Sequence, residues 1–204
     1  MRDLFILVAD SGIKITVETL LSRRQKSFKI RSLDFKTDVH PKWDPGGLGQ
    51  GVEFIRALID RNEYRKYIMI FDYHGCGSDK PAAEIQDQLA KKAQSYGFTQ
   101  INFRTIIIEP ELEIWAWKDA FHLEKLIGWR EGKVAAWIRK NKIALDQNQK
   151  PRQPKEIYQK LLDSADYPKS NDNFRVLGKK IGLKNCRNDA FNQLVQTLQE
   201  WFPE

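Results

Sequence analysis

The stretch IMIFDYHGCGSD (68–79) puts a carboxylate, Asp72, at the end of an apolar, β-branched run, and an imidazole, His74, two residues later. Two other apolar runs also end on acids. LFILVAD (4–10) stops at Asp10, and INFRTIIIE (101–109) stops at Glu109, with Glu113 one helical turn beyond. Glu111 falls elsewhere on helical spacing and is expected to face solvent. The segment KTDVHPKWDPGGLGQG (36–51) adds His40 and Asp44. Carboxylates that converge on one point repel each other and are costly to desolvate; a divalent cation removes that cost. Mg2+ and Mn2+ prefer a few carboxylates plus water, and such an ion can activate water and stabilise an in-line displacement at phosphorus. Asp10, Asp72 and Glu109 are therefore the candidate metal ligands. His74 would ligate or carry protons, Glu113 would serve as outer ligand or base, and His40 and Asp44 would border the substrate. The plain alternative is that these acids cap helices or favour helix starts through the dipole. Convergence of all three strand ends is what separates the two readings.

The elements that must position these groups can be read from periodicity. Residues 4–10, 66–72 and 101–109 are apolar on both faces, as buried parallel strands are. SFKIRSLDF (27–35) alternates and predicts an edge or half-buried strand. Residues 13–24, 52–64, 80–97 and 109–121 have helical spacing, the last two with Pro near the start. This alternation predicts an α/β, three-layer domain with a mainly parallel central sheet over 1–121. Beyond residue 121 the strand signal fades. Segments 133–142, 154–165, 173–182 and 189–202 read as helices separated by turn residues, so 122–204 is expected to be a helical C-terminal region packed on the sheet. Glycines in GGLGQG (46–51) suggest a turn, with phosphate binding by backbone N–H groups as a weaker reading. Neither GxxxxGK[ST] nor a GxGxxG directly after a strand is present, which argues against a P-loop or dinucleotide fold.

Composition is that of a globular chain: 204 residues, 41% hydrophobic, 30% charged. No apolar stretch approaches the ~18 residues of a membrane span. The short apolar start, flanked by aspartates, does not resemble a signal peptide, so a cytoplasmic protein is expected. Cys76 and Cys186 are too few and too far apart for a zinc finger or a disulfide scaffold. The net charge of +7 is lopsided: residues 1–117 hold 17 Lys/Arg against 16 Asp/Glu, and 118–204 hold 17 against 11. A basic second half suits a polyanion such as DNA or RNA, or simply a soluble helical surface. Tryptophans 115, 117, 129, 137 and 201 sit at helix-like positions and read mostly as core, with one or two available for base stacking.

The acid-ended strands followed by EPELEIWAW resemble the Toprim-like proteins of bacterial defence islands. The spacing of VADSGIKITVETLLSR, HPKWDPGG, IMIFDYHGCGSD, EPELEIWAW, the LIGW turn, QPKEIYQKLL and TLQEWF is similar to the small protein of methylation-associated phage defence systems. That resemblance runs over nearly the whole chain. It implies a Toprim-like sheet, acids binding Mg2+ or Mn2+, and a role in antiviral defence beside other defence-system proteins. The Toprim pattern has Glu after the first strand and Asp-x-Asp after a later one; here those positions are Asp10 and Asp72-Tyr73-His74. Both depart from the pattern: Asp is shorter than Glu, and His offers nitrogen, which suits Mn2+ or Zn2+ better than Mg2+. The resulting expectation is a metal-dependent nuclease. The alternative is a catalytically inactive subunit that binds a partner protein or DNA, and a third reading is a phosphate sensor using 46–51.

Overall fold

The computed structural model describes residues 1–59, 63–118, 120–168, 170–180 and 188–204. In chain order the elements are β1 (Arg2–Val8), α1 (Ser11–Phe28), β2 (Phe35–Val39), α2 (Trp43–Ile59), β3 (Tyr64–Asp72), α3 (Ala82–Ser95), β4 (Phe103–Ile108), a 3-10 helix (Leu112–Lys118), α4 (Ala120–Ile127), α5 (Lys133–Lys140), α6 (Pro154–Ser164), α7 (Asn171–Lys180) and α8 (Asp189–Trp201). The four strands form one parallel sheet in the order β2-β1-β3-β4. α2 and α3 lie side by side on one face, and α1 and α8 on the other. This is the expected three-layer α/β architecture followed by helices.

Strand order decides where a site can form. From β1 the chain steps outward to β2 on one side, and then crosses back to place β3 and β4 on the other. The reversal leaves a crevice at the carboxyl ends of β1 and β3, the usual ligand position in open parallel sheets. Asp10 follows β1 and Asp72 ends β3.

The strand expected over 27–35 does not form; only Phe35 of that stretch lies in a strand. α1 runs on to Phe28 and stops on Lys29 in the left-handed region (φ 57°). Ile30 is buried, and its strand-like pairing is an isolated bridge to Pro203. The edge strand is instead 35–39, polar because only Thr37 along it is buried. The alternation thus marks the end of α1 and a connection that buries Phe28, Ile30 and Leu33 in turn, and the true strand carries too few apolar residues to be read.

Nor is GGLGQG a turn: it lies within α2. Its glycines let the helix press on the sheet. A Cβ on Gly51 would stand 2.3 Å from Met69 Sδ, and one on Gly47 would stand 3.2 Å from the Phe71 ring. A Cβ on Gly46 would overlap His40, at 2.0 Å from Nδ1. Close approach of α2 is what brings Asp44, in its first turn, onto β3.

Among the described residues two apolar clusters hold the molecule. The larger joins β1, β3 and β4 to Ile13, Val17, Leu20 and Leu21 of α1 and to Phe191, Leu194 and Leu198 of α8. The smaller gathers Trp117, Leu123, Val134, Leu161 and Leu162 around the 3-10 helix, α4, α5 and α6. The last helix therefore belongs to the sheet core, while α6 docks on the 3-10 helix through the Trp117 Nε1–H donated to Pro154 O at 3.0 Å. Among the described residues no helix is long and apolar enough to cross a membrane.

Candidate active site

Asp10 is the N-cap of α1, with extended backbone and Oδ1 accepting the Ile13 N–H at 2.8 Å. The cap reading is thus correct for Asp10, but it engages only one carboxylate oxygen in that bond. Asp72 is 3% exposed, and its Oδ1 accepts the Leu112 N–H at 3.0 Å, tying β3 to the first residue of the 3-10 helix. Asp44 Oδ1 accepts the Asp72 backbone N–H at 2.9 Å. The turn after β3 passes over Asp44, since a Cβ on Gly75 would stand 3.8 Å from Asp44 Oδ2.

These acids act on one another. Burial, then the charges of Asp44, Asp10 and Glu113, hold the Asp72 carboxyl well above the usual carboxylate range. Asp44 is raised by burial, with Asp10 adding to the rise. Glu113, 5% exposed on the 3-10 helix, is pushed up to about 7, mainly by burial. Lys155 stands against them. Burial opposes the charge of Lys155, yet Glu113, Glu111, Asp72 and Asp10 together raise its pKa. Tyr158, one turn along α6, is raised by burial and by Glu113. Helix α6, packed on the 3-10 helix, therefore carries Lys155 within electrostatic reach of the acids.

The fold thus brings Asp10, Asp44, Asp72 and Glu113 together. It places the other predicted residues differently. Glu109 is exposed and lines a groove of about 500 Å3 with Asp146, Lys150 and Asn188. His74 is exposed and faces Glu111, with Nδ1 3.7 Å from Oε1. Glu111 is consequently not turned to solvent; its side chain is 17% exposed and it faces Lys155 as well. His40 is buried beneath the next turn, its Nδ1 accepting the Lys42 N–H at 3.1 Å and its ring 5.5 Å from Phe54. Burial, with Lys42 nearby, lowers its pKa, so it holds that turn as a neutral ring. The sequence marks Lys155 only weakly. Its only signals were the basic second half and its place in QPKEIYQKLL, and neither tells that α6 carries it to the acids.

Asp10, Asp44, Asp72 and Glu113 offer only oxygen, the donor type that Mg2+ and Mn2+ take, and Mg2+ commonly binds through one or two carboxylates with water completing its shell. In that sense the residues fit a divalent cation, with Asp10 and Asp72 flanking the crevice as the pair to hold it. As the side chains stand, no three His, Cys, Asp or Glu residues among those described form a metal-holding group.

No family model matches the sequence, and no curated protein matches it significantly. Among solved structures, the C-terminal region of the Xanthomonas campestris pv. campestris OLD protein is similar, with a TM-score of 0.50 at 11% identity over 97% of this chain and 94% of that one. At that identity the likeness concerns the fold alone, but it spans the sheet and the C-terminal helices together. The chain carries an α/β fold, a four-stranded parallel sheet followed by helices, that resembles this region of the OLD protein.

Proposed function

We propose that the protein is a divalent-cation-dependent phosphodiesterase acting on nucleic acid in phage defence. The observation that carries this reading is the excess of acid at the switch point: Asp10, Asp44, Asp72, Glu111 and Glu113, with Asp72 and Glu113 almost fully buried, all act on Lys155. Such an excess costs the fold stability, and a bound cation offsets it. Asp10 and Asp72 would hold Mg2+ or Mn2+, which when bound supplies charge for a phosphoryl oxygen and an activated water. Glu113, poised near neutrality, would accept or return the proton of the attacking water or the leaving oxygen. Lys155 would meet the charge that develops on the phosphate. Asp44 positions Asp72 by holding its backbone N–H. His74 and Glu111, paired, would border the substrate path. The defence setting is supported by the sequence resemblance to defence-island Toprim-like proteins and is consistent with the fold.

Purified protein incubated with supercoiled plasmid and Mg2+ or Mn2+ should nick it, and Asp72→Asn should not. Equal nicking by both would exclude this site. The second reading, a non-catalytic subunit that binds a partner protein or DNA, is favoured by the absence of a ready three-ligand group among the described residues. Wild-type protein that cuts nothing with either ion, yet co-elutes with neighbouring gene products on size exclusion, would support it.

A further inference from the structure

Trp43 is 66% exposed and has φ 50°, in the left-handed region. A bulky residue there is a backbone outlier, and glycine would adopt the same conformation freely. The fold gains little from the indole: among the described residues no ring stacks on it and no cation covers it. The turn that holds it out is nonetheless well built. Its own N–H is donated to His40 O at 3.1 Å, Lys42 N–H goes to His40 Nδ1 at 3.1 Å, and Gly46 N–H goes to Lys42 O at 3.1 Å. Buried His40 anchors this turn from below, and Gly46 is there to make room for the ring. Directly after Trp43 comes Asp44, bonded to the Asp72 backbone. A strained, solvent-facing aromatic one residue from the acid cluster points to a ligand outside the chain.

We propose that Trp43 is a stacking platform for an unpaired nucleobase, so that the site takes single-stranded nucleic acid. This rests on the phosphodiester reading above and names its substrate class. A flat, exposed indole offers the sequence-tolerant face on which unpaired bases stack, whereas bases within a duplex already stack on each other. Exposed Lys42, beside it and bonded to Gln50, adds positive charge for the backbone of the same strand.

The test is anisotropy binding of a fluorescein-labelled oligothymidylate, and of a hairpin duplex of equal length, in EDTA. The wild type should prefer the single strand. Trp43→Gly should weaken single-strand binding by about tenfold, the scale of one lost base stack, while leaving duplex binding unchanged. Trp43→Phe should retain most of the affinity. Trp43→Gly should also raise the melting temperature, because glycine relieves the left-handed backbone. Stability and affinity then move in opposite directions, which a merely structural role would not produce. Equal single-strand affinity of wild type and Trp43→Gly overturns the proposal and leaves the indole to a protein partner, as does equal loss on both substrates or no single-strand binding by wild type. Cleavage is not read, so a protein that stacks the strand but cuts nothing sinks the hydrolase reading alone.

Discussion

Glu113→Gln tests the central electrostatic claim without assuming any catalysis. The carboxyl has an ordinary value of 4.5 and is pushed up to about 7 in the folded chain. Between those values the unfolded chain has released its proton while the folded chain still holds it. Rising pH therefore favours unfolding across that window, and the loss is complete above about 7. At about 1.4 kcal/mol per pH unit, a rise from 4.5 to about 7 costs about 3 kcal/mol at alkaline pH. Glutamine keeps the shape and cannot ionise. In urea unfolding without divalent ions, wild type and Glu113→Gln should have nearly equal stability at pH 4.5. At pH 8 the variant should be more stable by about 2–3 kcal/mol, equivalent to about 4–12 °C in melting temperature for a chain of this size. Tryptophan fluorescence and far-ultraviolet circular dichroism should report the same transition. A variant less stable than wild type at pH 8, or an offset independent of pH, would show that Glu113 is not a strained acid.

Mn2+ should raise the melting temperature of the wild type by several degrees at concentrations well above its dissociation constant, since about 100-fold excess is worth about 2.7 kcal/mol. Asp72→Asn should lose that response while being no less stable than wild type without metal; an undiminished shift would move the cation elsewhere. Asp10→Ala should cost about 1 kcal/mol through loss of the α1 cap, whereas Asp10→Asn should keep the cap and lose the Mn2+ response. Denaturation of both variants, with and without Mn2+, separates the two roles, and an equal cost would deny the capping bond. Gly51→Ala should destabilise by about 1 kcal/mol, because overpacking against the buried Met69 thioether outweighs the helix propensity gained. Gly49→Ala, with open space around it, should stabilise by up to about 1 kcal/mol. The reverse order in urea midpoints would mean that α2 does not sit tightly on the sheet.

The sequence by itself determined much of this protein. The three apolar runs had to be buried parallel strands because their periodicity leaves neither face for water, and strands of that kind end where sites form. Asp10 and Asp72 were legible for that reason, and so were the C-terminal helices, whose apolar spacing is local information. What only the tertiary structure decided was which acids meet. Asp44 reaches Asp72 because glycines let α2 press on β3, a contact between segments 28 residues apart that no local pattern encodes. Glu109, at an equivalent strand end, points into a different groove, since β4 lies at the sheet edge and away from the β1/β3 crevice. Glu111 faces His74 and Lys155 because its segment coils as a 3-10 helix from Leu112 and not as an α-helix from 109. Lys155 enters from α6 through packing on Trp117, and Trp43 stands out because a buried histidine props its turn. Residue types and strand ends are properties of short stretches of chain; the charge balance of a site is a sum over distant ones, and only packing brings those together.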